Sequence, residues 1–164
     1  MAATLLSACP TRAAQTCEDA IAQVAEESGV PHRILKAIGQ VESSGWPWTL
    51  NLAGQDFYFR TKAEAVSALT GMLTKRQYPD AGCVQMNMRY HAYRFGSVEK
   101  VLDPLTNVRA GAAFLIELKE RHGTWERAAG AFHNTRDLVR NQAYRCRLAR
   151  ALAPELKISH CVRS

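Results

Sequence analysis

The sequence predicts a mainly α-helical fold with one small β-hairpin. Three observations carry that prediction. Apolar residues recur at helical spacing along most of the chain, one aromatic and β-prone stretch (Trp46–Arg60) interrupts them, and no internal repeat or low-complexity linker divides the chain. With 164 residues, 47% of them hydrophobic and 22% charged, the chain is long enough for one domain with a real core.

The elements follow in order. Cys17–Glu27 reads as a helix. Pro31 suits a first helical turn, where a missing N–H costs nothing, and opens a second helix that ends at Glu42. Ile34, Leu35, Ile38 and Val41 form its apolar stripe, and Ser43-Ser44-Gly45 stops it. Within Trp46–Arg60, Ala53-Gly-Gln-Asp56 is the expected turn between strands Trp48–Leu52 and Phe57–Arg60. Lys62–Lys75 is helical, with Ala65, Leu69 and Met72 on one side. Pro79-Asp-Ala-Gly82 reads as a turn and Asn87–Phe95 as a short helix. Asp103-Pro104 opens the longest helix, Pro104 to His122, which Gly123 ends. Leu105, Val108, Ala112 and Leu115 make its stripe, and the small residues of Ala110–Ala113 permit close helix contact. Trp125, Ala128, Ala129 and Phe132 form another apolar face, and a last helix covers Asp137–Leu152.

Composition narrows the function classes. The formal net charge of +6 favours an anionic partner. The basic residues are dispersed, with a mild concentration in Arg136–Arg150, and no basic stripe interleaves with aromatics, so nucleic-acid binding is not expected. No run of apolar residues is long enough for a transmembrane helix. None of the five cysteines forms a CxxC pair, which argues against zinc and thioredoxin-type chemistry. Cys83, in an apolar stretch, is expected to be a core thiol. One bridge among Cys17, Cys146 and Cys161 fits an exported protein, with the pairing open. Leu6-Ser-Ala-Cys9 looks like a lipoprotein box and Thr11-Arg-Ala13 like a cleavage site, yet the apolar stretch before them is short and lacks a positive start. Residues 1–14 are therefore read as a truncated export signal or a disordered start, and 15–164 as the domain.

GxSxG, GxxxxGK[ST], GxGxxG and HExxH are all missing, and no histidine pairs at ligand spacing with another His or Cys. Carboxylate chemistry is the remaining strong candidate, and it centres on Glu42. This residue lies beside the apolar stripe, in the last turn of its helix. Burial and the negative end of the helix dipole both disfavour its charged form. Both push it toward a carboxylic acid still protonated near neutral pH, which a general acid requires. The competing reading is a surface glutamate at a frayed helix end.

Four segments then match one pattern in order: Glu42-Ser43; Gly82-Cys-Val-Gln85-Met-Asn87; Asp103-Pro104 with Asn107-Val108 and Gly111-Ala-Ala-Phe-Leu115; and Ala131-Phe-His-Asn134. Together they resemble the catalytic domain of the soluble lytic transglycosylases, a lysozyme-like (goose-type) family also called glycoside hydrolase family 23. The match runs from about Cys17 to Cys146. The resemblance implies a lysozyme-like helical fold and cleavage of the β-1,4 bond between N-acetylmuramic acid and N-acetylglucosamine, leaving a 1,6-anhydro-muramyl end. It makes Glu42 the general acid and then the base, and places Ser43, Gln85, Asn87, Tyr90, Phe132 and His133 toward the substrate. Gln85 contacts the sugar or holds its loop. Ser43 orients Glu42, touches substrate or caps its helix. No metal or cofactor is implied. Most glycosidases hold a second carboxylate roughly 5 to 10 Å away. This family needs none, and Asp80, the nearest suspect, reads as a turn residue.

The departures are specific. Cys83 and Val84 stand where the family has Leu and Met. Phe132 replaces a tyrosine whose hydroxyl helps place the catalytic glutamate, so Tyr90 or Tyr93 substitutes or the acid is less well oriented. Trp46, Trp48 and Tyr58 stack on sugars or pack in the core. Gly45-Trp-Pro-Trp-Thr-Leu-Asn51 resembles small members that accompany secretion, pilus or flagellar machinery. Peptidoglycan glycan strands and such a machine are the expected partners. The expected location is periplasmic or exported, with Cys9 as a lipid attachment point. A hydrolytic lysozyme of the same shape and a non-catalytic wall-binding factor are the alternatives.

Overall fold

Capping chemistry fixes where most helices of this computed structural model begin, and the structure describes residues 15–133 and 138–153. Thr16 and Asp19 form a reciprocal capping box at the start of α1 (Cys17–Ser28), and left-handed Gly29 ends it. In α2 (His32–Ser43), Pro31 is the cap itself, one step earlier than expected, and left-handed Ser44 stops the helix. Thr61 and Glu64 repeat the capping box for α3 (Lys62–Thr74). Asn87 caps α4 (Met88–His91), which passes into a 3₁₀ turn, Ala92–Arg94; the expected helix over Asn87–Phe95 is thus two short pieces. Ser97 caps α5 (Val98–Val101), and Asp103 caps α6 (Pro104–His122), which Gly123 ends as the sequence predicts. Thr124 caps α7 (Trp125–Phe132), and α8 (Leu138–Leu152) completes the described chain.

The hairpin is present, with a tighter turn than expected. β1 (Thr49–Leu52) and β2 (Gln55–Tyr58) are joined by Ala53 and Gly54 alone, both at positive φ, 55° and 89°. Two such residues match the twist of the strands, which frees Gln55 and Asp56 to join the ladder. The expected turn Pro79–Gly82 is corrected as well. Asp80–Ala81 form β3, which pairs with β1 through Leu50↔Ala81 and Asn51↔Asp80. β4 (Met86–Asn87) pairs with β3, so the sheet is antiparallel in the order β2-β1-β3-β4. A two-residue strand shows no alternation in sequence; the edge offered by β1 makes it a strand.

The core lies where α6 packs on α1 and α7, and α2 on α8. Ile34, Leu35 and Ile38 of α2, Val108 and Leu115 of α6 and Tyr144 of α8 are fully enclosed. Gly111 lets α6 approach the loop that follows β3, since a Cβ there would overlap the Val84 side chain.

The cysteine expectations are overturned in one respect. Cys83 is not a thiol: it is bonded to Cys17, Sγ–Sγ 2.08 Å, tying the start of α1 to the loop that follows β3. The two are 66 residues apart in sequence, and only the fold shows that they meet. Cys146 is disulfide-bonded as well. Among the described residues no helix is long and apolar enough to cross a membrane. Residues 1–14 with Cys9, Asn134 and Cys161 lie outside the described residues.

Candidate active site

Three segments converge around Glu42: the end of α2, the loop Gly82–Gln85 between β3 and β4, and α8 with the end of α7. The first two are tied directly. Buried Ser43 reaches out of α2 with its hydroxyl 2.8 Å from the Cys83 carbonyl and 3.1 Å from that of Gly39, donating across both. That hydroxyl is enclosed, so Ser43 acts as a tether between helix and loop.

The loop is fixed from beneath by Asn107, which is fully buried on α6. Its Oδ1 accepts from the Val84 amide at 3.0 Å, and its Nδ2 donates to the carbonyls of Ala81 and Val101 at 3.0 and 2.9 Å. Gly82 is required twice over: its φ is +82°, and a Cβ would overlap the Asn107 carboxamide. Gln85 also holds positive φ, 45°, and donates Nε2 to the carbonyls of Gly82 (2.9 Å) and Thr49 (3.2 Å). Its amide nitrogen thus holds the loop, and its carbonyl oxygen accepts no hydrogen bond among the described residues.

Glu42 presents a carboxyl group with almost no solvent. Its side chain is 9% exposed, and Oε1 is completely enclosed without a hydrogen-bond partner, so the remaining access lies elsewhere on the side chain. Its pKa is pushed up to about 8, first by burial and second by the charge of Asp80; the Tyr144 hydroxyl and the Arg147 charge oppose this more weakly.

Asp80 faces the same site from β3. Burial raises its pKa to about 6, against the hydrogen bond from its cross-strand partner Asn87, whose Nδ2 donates to Oδ1 at 2.7 Å. The Asp80 charge raises Glu42, the less acidic of the two. Asp80 ionises first, while Glu42 is still neutral, and Glu42 must then ionise beside an existing charge. Near pH 7 the pair therefore holds one proton on Glu42 and one charge on Asp80.

The tyrosine beside Glu42 is Tyr144 on α8, not Tyr90 or Tyr93. Those two are 68% and 75% exposed, because α4 and the 3₁₀ turn are short and bury only Met88 of their residues. Tyr144 is fully buried, and burial and Glu42 both raise its pKa well above the ordinary value. Each of the two residues alters the proton affinity of the other, yet the Tyr144 hydroxyl and Glu42 Oε1 both lack a partner at hydrogen-bonding geometry. They are neighbours without a formed bond.

His133, at the end of α7, stacks on the Tyr144 ring with centroids 4.8 Å apart, and its Nδ1 lies 3.9 Å from Glu42 Oε1. Burial, then the charges of Arg147 and Arg140, lower its pKa, so it is neutral at pH 7 and forms no ion pair there. Phe132 belongs to the core, against Phe114 at 5.4 Å. Asn87 carries two tasks, bonding Asp80 and capping α4 through the Arg89 amide at 3.0 Å. Trp48 is partly buried against the core; Trp46, before β1, and Tyr58, at the end of β2, are exposed.

Sequence reasoning brought Glu42, Ser43, Gln85, Asn87 and His133 to this region. It weighed Asp80 as the nearest second carboxylate but read it as a turn residue, and it missed Tyr144 and Arg147. The one available signal was the spacing of Tyr144 and Leu148 on the buried face of α8, which marks a core position without naming its neighbour. Two surface hollows, one lined by Ala22, Ala25 and His32 and another by Lys62, Val66 and Glu99, include none of these residues. Among the described residues no cluster of three or more His, Cys, Asp or Glu is placed to hold a metal ion.

A family model described as the transglycosylase SLT domain matches residues 19–147. No curated protein and no solved structure matches the chain.

Proposed function

The chain belongs to the SLT transglycosylase family, whose members act on peptidoglycan, and from that premise we propose that it cleaves the glycan strand by lytic transglycosylation with Glu42 as its acid and base. The observation that carries this reading is the enclosed Glu42 carboxyl, held protonated to about pH 8. A proton passes from Glu42 to the glycosidic oxygen as the bond between N-acetylmuramic acid and N-acetylglucosamine breaks. The muramyl C6 hydroxyl then attacks the anomeric carbon and returns its proton to Glu42. The product is a 1,6-anhydro end, no water is consumed, and Glu42 is restored.

Gln85 supports the reading through its unused carbonyl oxygen, an acceptor for a sugar amide or hydroxyl. Asn87, Tyr90 and His133 are the other residues proposed to line the substrate side; Phe132, expected there from the sequence, is packed in the core instead. Ionised Asp80 contributes negative charge where an oxocarbenium-like transition state develops positive charge.

Asp80 also favours a second reading, hydrolysis. A protonated carboxyl and an ionised one on two sides of a site are the pair that a muramidase needs, the second activating water. Mass spectrometry of the digest of purified sacculi separates the two. Anhydro-muramyl ends are expected; reducing ends alone would replace the first reading with the second. No soluble muropeptide at any enzyme concentration would leave a wall-binding role.

The compartment proposed is the one where peptidoglycan lies, periplasmic or exported. The Cys17–Cys83 bond fits an oxidising compartment. Attachment through Cys9 and service to a secretion, pilus or flagellar machine belong to the same proposal.

A further inference from the structure

The reaction above assigns no task to Arg147, a cation whose charge acts on Glu42. On α8 it lies three residues after Tyr144, hence on the same face, and its guanidinium sits over the Tyr144 ring at 6.0 Å from the centroid. That ring stacks on His133, whose Nδ1 is 3.9 Å from Glu42 Oε1. Arg147, Tyr144, His133 and Glu42 thus form a continuous series of contacts from an exposed cation to the enclosed acid.

The charge of Arg147 is not neutralised locally. Among the described residues no carboxylate lies within ion-pair distance of it, whereas Arg33, Arg94 and Arg109 each hold a glutamate. Glu42 is no substitute, because near pH 7 it carries a proton. Asp80 is taken by Asn87. Arg145, two residues before, spends its Nε on the Gly130 carbonyl at 3.5 Å. The field of Arg147 nevertheless reaches Glu42, Tyr144 and His133. An exposed guanidinium, steadied on the aromatic ring beside Glu42 and without a carboxylate partner among the described residues, is suited to an anion on the ligand.

We propose that Arg147 is a specificity-determining residue that binds a carboxylate carried by the muramyl unit being cleaved. This deepens the transglycosylase reading and rests on it. It gives the positive charge of the chain a local purpose: selecting carboxylated wall glycan over neutral β-1,4-linked glycan. Two sources present the same group, the stem-peptide carboxylates of intact wall and the lactyl carboxylate of strands stripped of peptide.

The test compares Arg147→Gln with the parent on three substrates: intact sacculi, sacculi whose carboxylates have been converted to amides with carbodiimide and ammonia, and amidase-stripped strands. A charge-assisted hydrogen bond contributes enough for about a tenfold loss in kcat/KM, entering through KM. The loss is expected on carboxylated substrate, with parent and variant converging on amidated sacculi and Arg147→Lys recovering part of the effect. Loss on intact sacculi only assigns the stem peptide; loss on stripped strands assigns the lactyl group. An equal loss on amidated sacculi, or no loss on any substrate, overturns the proposal. So does a loss traced to a higher-pH basic limb with KM unchanged, because Arg147 would then act only through Glu42. Co-sedimentation of the same substrates with Glu42→Gln and Glu42→Gln/Arg147→Gln needs no turnover. If the parent yields no anhydro ends while binding by these variants still depends on Arg147 and carboxylate, the transglycosylase reading falls and this inference stands.

Discussion

Glu42, its side chain almost wholly enclosed, and Asp80, half-buried, share one site, but the helix and the sheet treat the two carboxyl groups differently. The helix delivers Glu42 into apolar surroundings with no donor on Oε1, and its pKa rises to about 8. The sheet delivers Asp80 opposite Asn87, whose amide donates at 2.7 Å, and the rise stops at about 6. Strand register creates that difference, since Asp80↔Asn87 is a cross-strand pair and pairs of this kind bring side chains into reach. Deeper burial, a missing donor and the Asp80 charge keep Glu42 neutral near pH 7, while a supplied donor lets Asp80 ionise.

The largest effect comes from removing the protonated member. Glu42→Gln is expected to lower muropeptide release by about 10²–10⁴-fold. The same variant sharpens the comparison through stability. Glu42's folded pKa of about 8 stands above its ordinary value of 4.5, so the native state binds the extra proton between those values. The associated stability is fully present below pH 4.5 and is lost as pH rises through 8. Glu42→Gln should therefore melt progressively higher than the parent from pH 4.5 to 8. Unchanged clearing by the variant would remove Glu42 from the mechanism, and an identical melting profile would remove the burial argument.

The ionised member comes next. Asp80→Asn removes the second-largest cause of the Glu42 shift, so the basic limb of the pH–rate profile should move below about 8. The acid limb near 6 should disappear with the group that produces it. The rate near neutrality is expected to fall about tenfold with anhydro products retained, the size of a modest electrostatic contribution. A loss as large as that of Glu42→Gln, with reducing ends in the parent digest, would make Asp80 the base of a hydrolase. Unmoved limbs would show that the two carboxyl groups are independent.

The two walls also differed in how legible they were. Glu42 could be found because its cause is local: Ile34, Leu35 and Ile38 fix the buried face of α2, and the helix stop fixes its place on the last turn. The same locality made the α6 cap and stop readable from Asp103, Pro104 and Gly123. Asp80 was misread as a turn residue because its strand is two residues long and exists through pairing with β1, distant in sequence. Cys17–Cys83 and Tyr144 were missed for the same reason, since each has a partner far along the chain. Phe132 was legible as a departure, and its burial followed from the face it shares with Ala128 and Ala129. That Tyr144 brings its hydroxyl beside Glu42 was not legible.

That hydroxyl provides the smallest and most discriminating test. Tyr144 lowers the Glu42 pKa while burial and Asp80 raise it, so Tyr144→Phe should move the basic limb to higher pH. Near neutrality Glu42 is already protonated in the parent, so the rate depends on its orientation more than on its charge. A drop of about two- to fivefold in kcat with KM unchanged is the outcome expected of a neighbour that positions the acid without touching substrate. Stability separates this from simple packing. The Tyr144 hydroxyl is buried with no hydrogen-bond partner, and deleting such a group while keeping the ring should leave melting unchanged or raise it. A slower enzyme that is no less stable would place Tyr144 in service of Glu42. A destabilised enzyme with an unshifted basic limb would make it a core residue and leave the helical wall without any group that restrains its acid.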